Sequence, residues 1–163
     1  MPEAPDLEVI NEFLNRRVRG HRVESAAVLK PTVLRPLAGD FSGDIPRRTV
    51  EQAHRRGKFL LVELSGGWCL VINPMLTGAL QYCEPRERVQ KKTCVVLSLS
   101  DGRELRYLDD RQMGKVYYLA EGQMSRIPLF GEQGPDVLEG IPLEEFGWRL
   151  RRFRGEIKGV LTR

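Results

Sequence analysis

The segment from residue 59 to residue 120 constrains the fold most, because it alternates short apolar runs with glycine-containing turns. Two pairs of runs flank Ser65-Gly66-Gly67 and Ser100-Asp101-Gly102, a pattern typical of β-hairpins. The predicted strands are Phe59–Leu64, Trp68–Asn73, Gly78–Cys83, Thr93–Leu99, Glu104–Leu108 and Lys115–Ala120. Since these strands follow one another directly along the chain, we predict an antiparallel sheet folded into a two-layer sandwich.

Helical patterns lie at the two ends of the chain. Residues 6–17 carry Leu7, Ile10, Phe13 and Leu14 at helical spacing, behind a proline and an aspartate suited to a helix start. Residues 143–153 form a second, basic helical pattern. Between the first helix and the hairpins we predict a strand at 22–29 and a Pro- and Gly-rich loop at 31–46. The fold class is therefore α+β, mainly β, with one helix at each end.

The composition is that of an ordinary globular domain, with 163 residues, 41% hydrophobic and 29% charged. The apolar runs are too short to cross a bilayer, and the acidic N-terminal segment is unlike a signal peptide, so we expect a cytoplasmic protein. Cys69, Cys83 and Cys94 lie among apolar residues without C-x-x-C spacing. This pattern favours buried, reduced thiols over a disulfide or a cysteine zinc site.

The formal charge of +4 comes largely from two basic stretches, which fit a polyanionic partner. An equally acceptable interpretation is a solvated helix face and a solvated loop. The first stretch contains Arg47, Arg48, Arg55, Arg56 and Lys58; the second contains Arg149, Arg151, Arg152, Arg154, Lys158 and Arg163.

The sequence begins Met1-Pro2-Glu3, which suggests a catalytic amine. Removal of Met1 would leave Pro2 with a free secondary amine, and since an α-amine has a pKa near 8, about a tenth of it is unprotonated at pH 7. Such an amine can attack a carbonyl carbon, and a carboxylate at Glu3 can move the protons. By itself the same start also fits a frayed terminus.

Three further segments have functional potential. Lys58 precedes an apolar strand, where its stem can lie on apolar surface while its ammonium reaches a cleft. Leu76 lies at the tip of the tight connection Asn73–Gly78, and Arg111 and Met113 lie two apart in the loop Asp109–Gly114. Taken singly, they also fit a surface lysine, a core leucine and an ordinary hairpin loop.

Taken together and in this order, the segments resemble the formamidopyrimidine-DNA glycosylase and endonuclease VIII family. The family start M-P-E-x-P-E is matched by Met1–Asp6, and its R-x-G-K-Y/F-L segment by Arg55–Leu60. Its D-x-R-x-F-G loop is matched by Asp109–Gly114, with Met113 in place of phenylalanine, and its L-G-P-E/D stretch by Gln133–Asp136. The resemblance implies a bifunctional DNA repair glycosylase with AP lyase activity.

The resemblance also implies roles for individual residues. Pro2 would be the nucleophile that forms the Schiff base, Glu3 the general acid/base, and Lys58 a contact to phosphate and the damaged nucleotide. The void left by an extruded nucleotide would be filled by Leu76, Arg111 and Met113. Flipping a base out of a duplex is costly, and apolar wedges with an arginine can replace part of the lost stacking and pairing. Asp109 is expected to shape the loop that carries Arg111.

The family continues beyond the length of this chain. We predict a catalytic β-sandwich domain at 1–140 and the start of a helical region at 141–163, truncated before the helix–two-turn–helix element and the zinc finger. No metal or cofactor is expected in this chain, because zinc would belong to the missing half. Lys158, and Lys92 where relatives often carry histidines, are possible phosphate contacts.

The expected partner is damaged double-stranded DNA, bound by a monomer with no membrane association. Formamidopyrimidine and 8-oxoguanine are the expected lesions, with oxidised pyrimidines as an alternative. Other interpretations are a catalytically impaired DNA-binding fragment without the C-terminal clamp, or a basic β-domain that binds single strands. Aromatic residues make up only 7% of the chain, which argues against stacking platforms for single strands.

Overall fold

The computed structural model describes residues 2–136, 138, 140–157 and 159, and in this part of the chain nine strands form two sheets. The helices are α1 (Ala4–Arg17), α2 (Phe41–Asp44) and α3 (Leu143–Arg151). The strands are β1 (Val23–Val28), β2 (Leu34–Pro36), β3 (Val50–Arg56), β4 (Phe59–Leu64), β5 (Trp68–Asn73), β6 (Gly78–Cys83), β7 (Thr93–Leu99), β8 (Glu104–Asp109) and β9 (Lys115–Ala120). The chain divides into two units, residues 1–132 and residues 133–163.

The two sheets of the first unit pack face to face. One has the strand order β1-β7-β8-β6 and the other β2-β9-β5-β4-β3. Their shared core contains Val62 and Ile72 from the five-stranded sheet and Val95, Leu97 and Leu105 from the four-stranded sheet. Burial of these facing side chains is the main force that holds the layers together. The predicted two-layer sandwich is confirmed.

The second face of the five-stranded sheet is also covered, which explains why β4 and β5 are apolar without alternation. Phe59, Leu61 and Val71 point away from the sandwich and contact Ile127 and Phe130, which follow β9. A strand buried on both faces needs apolar residues at consecutive positions, whereas a half-buried strand alternates. The unbroken run from Phe59 to Val62 is therefore a sign of double coverage.

Helix α1 begins at Ala4, two residues before the predicted start. Glu3 is its N-cap residue, and the backbone N–H of Glu3 donates a hydrogen bond of 2.9 Å to the Asp6 carboxylate. The two residues form a capping box, so Asp6 caps the helix from its third position and not from the cap position itself. Leu7 and Leu14 face the core as predicted.

Two strands were not predicted. The first basic stretch includes β3, so this stretch is neither a solvated helix face nor a solvated loop throughout. β2 lies inside the predicted loop and pairs in parallel with β9, which departs from the expected all-antiparallel arrangement. Both strands lie at the edges of the five-stranded sheet, where one side lacks a neighbouring strand and sequence alternation is weak.

The second unit contains α3, which agrees with the helix predicted at 143–153 except for its last two residues. Two basic side chains of this unit have local partners: Arg149 pairs with Glu145 at 2.7 Å, and the Arg152 guanidinium lies 4.9 Å from the Trp148 ring centroid. No helix in the described part of the chain is long and apolar enough to span a membrane.

Cys69, Cys83 and Cys94 are all buried and free, as predicted. Burial raises the pKa of the Cys69 thiol from 9.0 to about 12, so this sulfur stays protonated at neutral pH.

Candidate functional site

Two loops cross between the sheets at the same end of the sandwich. The leucine loop (residues 74–77) joins β5 to β6, and the arginine loop (residues 110–114) joins β8 to β9. Asn73 pairs with Lys115 in one sheet, and Gly78 pairs with Asp109 in the other. Because the strands at both ends of the two loops are neighbours, the loops run side by side.

Both loops present large side chains to solvent. Leu76 and Met113 are each 41% exposed, and Arg111 is also exposed. Apolar side chains of this size at loop tips are candidates for contact with a ligand, since folding by itself gains nothing from their exposure. The structure thus excludes the alternative that Leu76 is a core residue.

Each loop contains a non-glycine residue in the left-handed region. Met75 has φ of 50° and Gln112 has φ of 52°. Such conformations are uncommon and persist where the surroundings fix them. The Asn73 side-chain oxygen accepts from the Met75 backbone N–H at 3.2 Å, and Gln112 lies 2.5 Å from the Thr32 hydroxyl.

Asp109 shapes the arginine loop, as predicted. Its carboxylate accepts from the backbone N–H of Arg111 at 3.2 Å and of Gly114 at 2.7 Å, so it spans the two ends of the loop. The residue is 1% exposed, which leaves this carboxylate to act on the protein backbone and not on a ligand.

Lys58 lies at the start of β4, at the same end as the two loops. Gly57 before it has φ of 56°, which places a tight turn between β3 and β4. Leu60 pairs with Ile72, so the entrance of β4 is next to the exit of β5, where the leucine loop begins. Lys58 is exposed, with its ammonium 5.9 Å from the Phe59 ring centroid.

Arg55 is unavailable to a partner, which corrects the interpretation of the first basic stretch as one binding surface. Its side chain is only 3% exposed and lies 2.5 Å from the Glu8 carboxylate of α1. It also donates to the Gly57 carbonyl at 3.0 Å. Arg55 therefore holds α1 against the turn that carries Lys58.

Arg48 is also engaged within the fold. It donates to the Tyr118 hydroxyl and to the Ser65 carbonyl, each at 2.8 Å, and its guanidinium lies 4.5 Å from the Trp68 ring centroid. Trp68 begins β5, so this cluster is at the opposite end of the sandwich from the two loops.

Helix α1 brings Pro2 and Glu3 to the end of the sandwich where the loops lie. Leu7 in its first half lines a small cavity with Pro74 and Gly78, the residues that begin and follow the leucine loop. Pro2 is half-buried and Glu3 is exposed. Their catalytic roles stay predictions, but their position agrees with a site shared with Lys58 and the two loops.

Lys92 is exposed and adjoins the same region. Its backbone carbonyl accepts from the Asp109 N–H at 2.8 Å, so the residue sits beside the base of the arginine loop. The preceding segment is fixed by Arg106, which is fully buried and donates to the Glu87 carbonyl at 3.0 Å. Its role as a phosphate contact stays a prediction, and Lys158 lies outside the described residues.

In the described ranges 2–136, 138, 140–157 and 159, no group of three or more His, Cys, Asp or Glu side chains is arranged to hold a metal ion. The groups at this end are instead Pro2, the Glu3 carboxylate, the Lys58 ammonium and exposed apolar side chains. Sequence reasoning missed Thr77 and Tyr107, whose hydroxyl groups contact the Asp109 carboxylate at the base of the loops. For Thr77 the available signal was a polar residue directly before the loop glycine Gly78, which many surface turns share, and Tyr107 carried no such signal.

Comparisons with known proteins agree with this architecture. Residues 1–116 match the sequence model of the formamidopyrimidine-DNA glycosylase N-terminal domain. A formamidopyrimidine-DNA glycosylase of Desulforamulus reducens is 34% identical over 164 residues, which cover 99% of this chain and 59% of the relative. One of Moorella thermoacetica is 35% identical over 140 residues, covering 85% of this chain and 51% of the relative. The chain thus spans between half and three fifths of these relatives.

Solved structures share the fold. The formamidopyrimidine-DNA glycosylase of Lactococcus lactis, bound non-covalently to DNA with an AP site, superposes with a TM-score of 0.86 at 22% identity. The match covers 98% of this chain and 61% of that protein. The same enzyme in complex with DNA containing FAPY-dG also gives a TM-score of 0.86 at 22% identity, covering 98% and 60% of the two chains.

Proposed function

This chain belongs to the formamidopyrimidine-DNA glycosylase family, and from that premise we propose that it is a DNA repair glycosylase with AP lyase activity. The proposed substrates are oxidised purines in duplex DNA, formamidopyrimidine and 8-oxoguanine among them. The observation that carries the proposal is that α1, which directly follows Pro2 and Glu3, begins at the end of the sandwich where Leu76, Arg111 and Met113 are exposed.

The proposed reaction starts with the Pro2 amine, freed by removal of Met1. Its nitrogen lone pair forms a bond to the sugar C1′ while the bond from C1′ to the base breaks, and the base leaves with a proton. The C1′–O4′ bond then breaks as O4′ takes up a proton, which opens the sugar ring and leaves an iminium between Pro2 and C1′. Loss of a C2′ proton then breaks the C3′–O bond, and a second elimination, with loss of the C4′ proton, breaks the C5′–O bond, which releases both phosphates. Water then hydrolyses the remaining imine and frees Pro2 from the sugar fragment.

Glu3 is suited to the proton transfers that these steps need. It is adjacent to Pro2, and the hydrogen bond from its backbone N–H to Asp6 fixes its place at the start of α1. Lys58 and Lys92 supply positive charge at the same end, which supports contact with DNA phosphates.

The two loops are suited to the separate task of holding an extruded nucleotide outside the duplex. Leu76 and Met113 provide apolar surface for the neighbouring bases, and Arg111 provides hydrogen-bond donors for the base left without a partner. A base stacked inside the duplex cannot reach the reacting groups, so the proposed reaction needs the loops to hold the nucleotide outside the duplex.

The test is borohydride trapping of the purified chain on duplex DNA with an abasic site. Intact mass spectrometry first confirms that Met1 is absent, and peptide mapping of the adduct then identifies the modified amine. The expected result is a covalent adduct on the N-terminal peptide, which weakens in Pro2→Gly and disappears when Met1 is retained. An adduct that persists unchanged with Met1 retained would exclude Pro2 as the nucleophile.

The same experiment tests the alternative, a DNA-binding fragment without catalysis. This alternative arises because the chain covers only 59% of the relative's length. Binding of the abasic duplex in a gel-shift assay, with Met1 absent and no adduct formed, would favour that alternative. Absence of both binding and adduct would reject the proposed function for this chain.

A further inference from the structure

A buried polar cluster joins the leucine loop to the arginine loop. The Thr77 hydroxyl, which belongs to the leucine loop, donates to Oδ1 of Asp109. The same hydroxyl oxygen accepts from the Arg111 backbone N–H at 3.3 Å. Thr77 therefore contacts the carboxylate that begins the arginine loop and also the backbone of the residue expected to enter the DNA.

The second carboxylate oxygen of Asp109 is engaged as well. Oδ2 accepts from the Gly114 N–H at 2.7 Å and lies 3.5 Å from the Tyr107 hydroxyl. Burial raises the pKa of Tyr107, so its hydroxyl keeps its proton and acts as a donor toward this oxygen. Both oxygens of one buried carboxylate are thus used to hold loop residues.

The space around the cluster is filled closely. A Cβ at Gly78 would lie 2.5 Å from both the Pro74 carbonyl and the Tyr107 hydroxyl, closer than real contacts allow. A Cβ at Gly114 would also collide with the Tyr107 hydroxyl and would lie 3.0 Å from Oδ2 of Asp109. Gly78 directly follows the leucine loop, and Gly114 is the last residue of the arginine loop. Both loops therefore pack against the Tyr107 hydroxyl.

We propose that Thr77 and Asp109 are positioning residues that lock the two loops to each other, so that Leu76, Arg111 and Met113 enter the duplex as one preformed unit. The consequence for DNA rests on the proposed function, but the coupling of the loops does not. Hydrogen bonds to a buried carboxylate are strong enough to fix two loops that would otherwise move separately. Ordering the unit in advance removes an entropy cost from each binding event.

The coupling is tested first in the free protein by amide hydrogen exchange. Thr77→Val keeps the branched shape and removes the hydroxyl, whereas Thr77→Ser keeps the hydroxyl. Thr77→Val is expected to speed exchange at Arg111 and Gly114, in the other loop, by roughly tenfold, the effect of losing one hydrogen bond to a charged group. Thr77→Ser is expected to stay within about twofold of the parent protein.

The matched control is Thr49→Val, which alters a partly buried threonine at the opposite end of the sandwich. It is expected to leave exchange in both loops unchanged. If Thr77→Val alters exchange only within residues 74–77, or if Asp109→Asn gives no faster exchange at Arg111 while remaining folded, the proposed coupling is wrong. Thermal unfolding of each variant shows whether a change reflects the loops or the whole fold.

The consequence for DNA is tested by comparing trapping on abasic sites in duplex and in single-stranded DNA. A single strand has no void to fill, so a defect in loop positioning affects the duplex selectively. Thr77→Val is expected to lower the duplex rate roughly tenfold and the single-strand rate less than about twofold, and Thr77→Ser to restore both. An equal loss on both substrates would show a general structural role and overturn the proposal.

The two arms separate the failure of this inference from the failure of the proposed function. If the parent chain traps neither substrate, the glycosylase proposal fails, while hydrogen exchange still decides whether Thr77 and Asp109 couple the loops. If the parent chain traps DNA and Thr77→Val behaves like the parent in both arms, the coupling is rejected and the proposed function stands.

Discussion

Asn15 of α1 hydrogen-bonds both backbone groups of Ala53 in the edge strand β3. Its side-chain Oδ1 accepts from the Ala53 N–H at 2.9 Å, and its Nδ2 donates to the Ala53 carbonyl at 2.7 Å. The amide thus makes the pair of hydrogen bonds that a neighbouring strand would make at that position. It covers the edge of the sheet and fixes the helix that directly follows Pro2 and Glu3.

We expect Asn15→Ala to lower the free energy of unfolding by about 2 kcal/mol, because it leaves the N–H and the carbonyl of a buried residue without their partner. Asn15→Asp keeps the acceptor but loses the donor, and its cost should be similar. Urea denaturation measures both, with Gln52→Ala on the exposed side of β3 as the control. A cost for Asn15→Ala no larger than that of the control would contradict this account.

The Glu8–Arg55 ion pair should contribute far more to stability than the Glu12–Arg16 pair on the same helix. Glu8→Ala removes the carboxylate from an arginine that is 3% exposed, with an expected cost of about 3 kcal/mol. Glu12→Ala breaks a pair whose side chains are 77% and 65% exposed, with an expected cost below about 0.5 kcal/mol. Equal costs in chemical denaturation would show that burial does not set the difference.

Replacement of Leu76 or Met113 by alanine should separate stability from DNA processing. Since both side chains are 41% exposed, each change is expected to alter the free energy of unfolding by less than about 0.5 kcal/mol. If they fill the void in the duplex, trapping on a duplex abasic site should fall severalfold, while Val9→Ala on the exposed face of α1 should leave it unchanged. Parent-like trapping by both variants would remove these residues from the proposed site.

Lys92→Gln tests the expected phosphate contact through the salt dependence of DNA binding. Loss of one phosphate contact should weaken binding similarly on all sequences and reduce the slope of log Kd against log salt by about 1. Arg126→Gln, in the segment after β9, is the control and should leave the slope unchanged. Identical slopes for Lys92→Gln and the parent protein would rule out the contact.

The protein should lose stability in alkaline solution. Burial raises the pKa of Cys69 from 9.0 to about 12 and also raises the pKa of Tyr118. Above pH 9 the unfolded chain releases these protons before the folded chain does, so unfolding becomes more favourable as pH rises. For Cys69 alone the slope is about 1.4 kcal/mol per pH unit between pH 9 and pH 12.

Urea midpoints between pH 8 and pH 11 measure this dependence. Cys69→Ala should lower stability at every pH because it leaves a cavity, but it should also flatten the alkaline slope. If stability falls with pH as steeply in Cys69→Ala as in the parent protein, the Cys69 thiol does not contribute to the alkaline loss of stability.

Local sequence patterns were sufficient to predict the strands that are apolar and bounded by turns. β4, β5 and β9 have the predicted bounds, and β8 extends one residue further than predicted, to Asp109. Apolar runs bounded by glycine turns depend on neighbouring residues, so the chain itself carries that information. β3 was not predicted because a polar edge strand is defined by its partners, β4 on one side and Asn15 on the other.

The sequence by itself determined the sandwich, the presence of the N-terminal helix and the identity of the candidate site residues, through local patterns and the resemblance of their motifs to one family. The tertiary structure decided which of those residues share an end of the molecule and which basic residues are buried, as Arg55 is. It also decided that the leucine and arginine loops rest on one carboxylate, Asp109. These relations depend on the pairing of strands distant in sequence, whose register is fixed by the packing of the whole core.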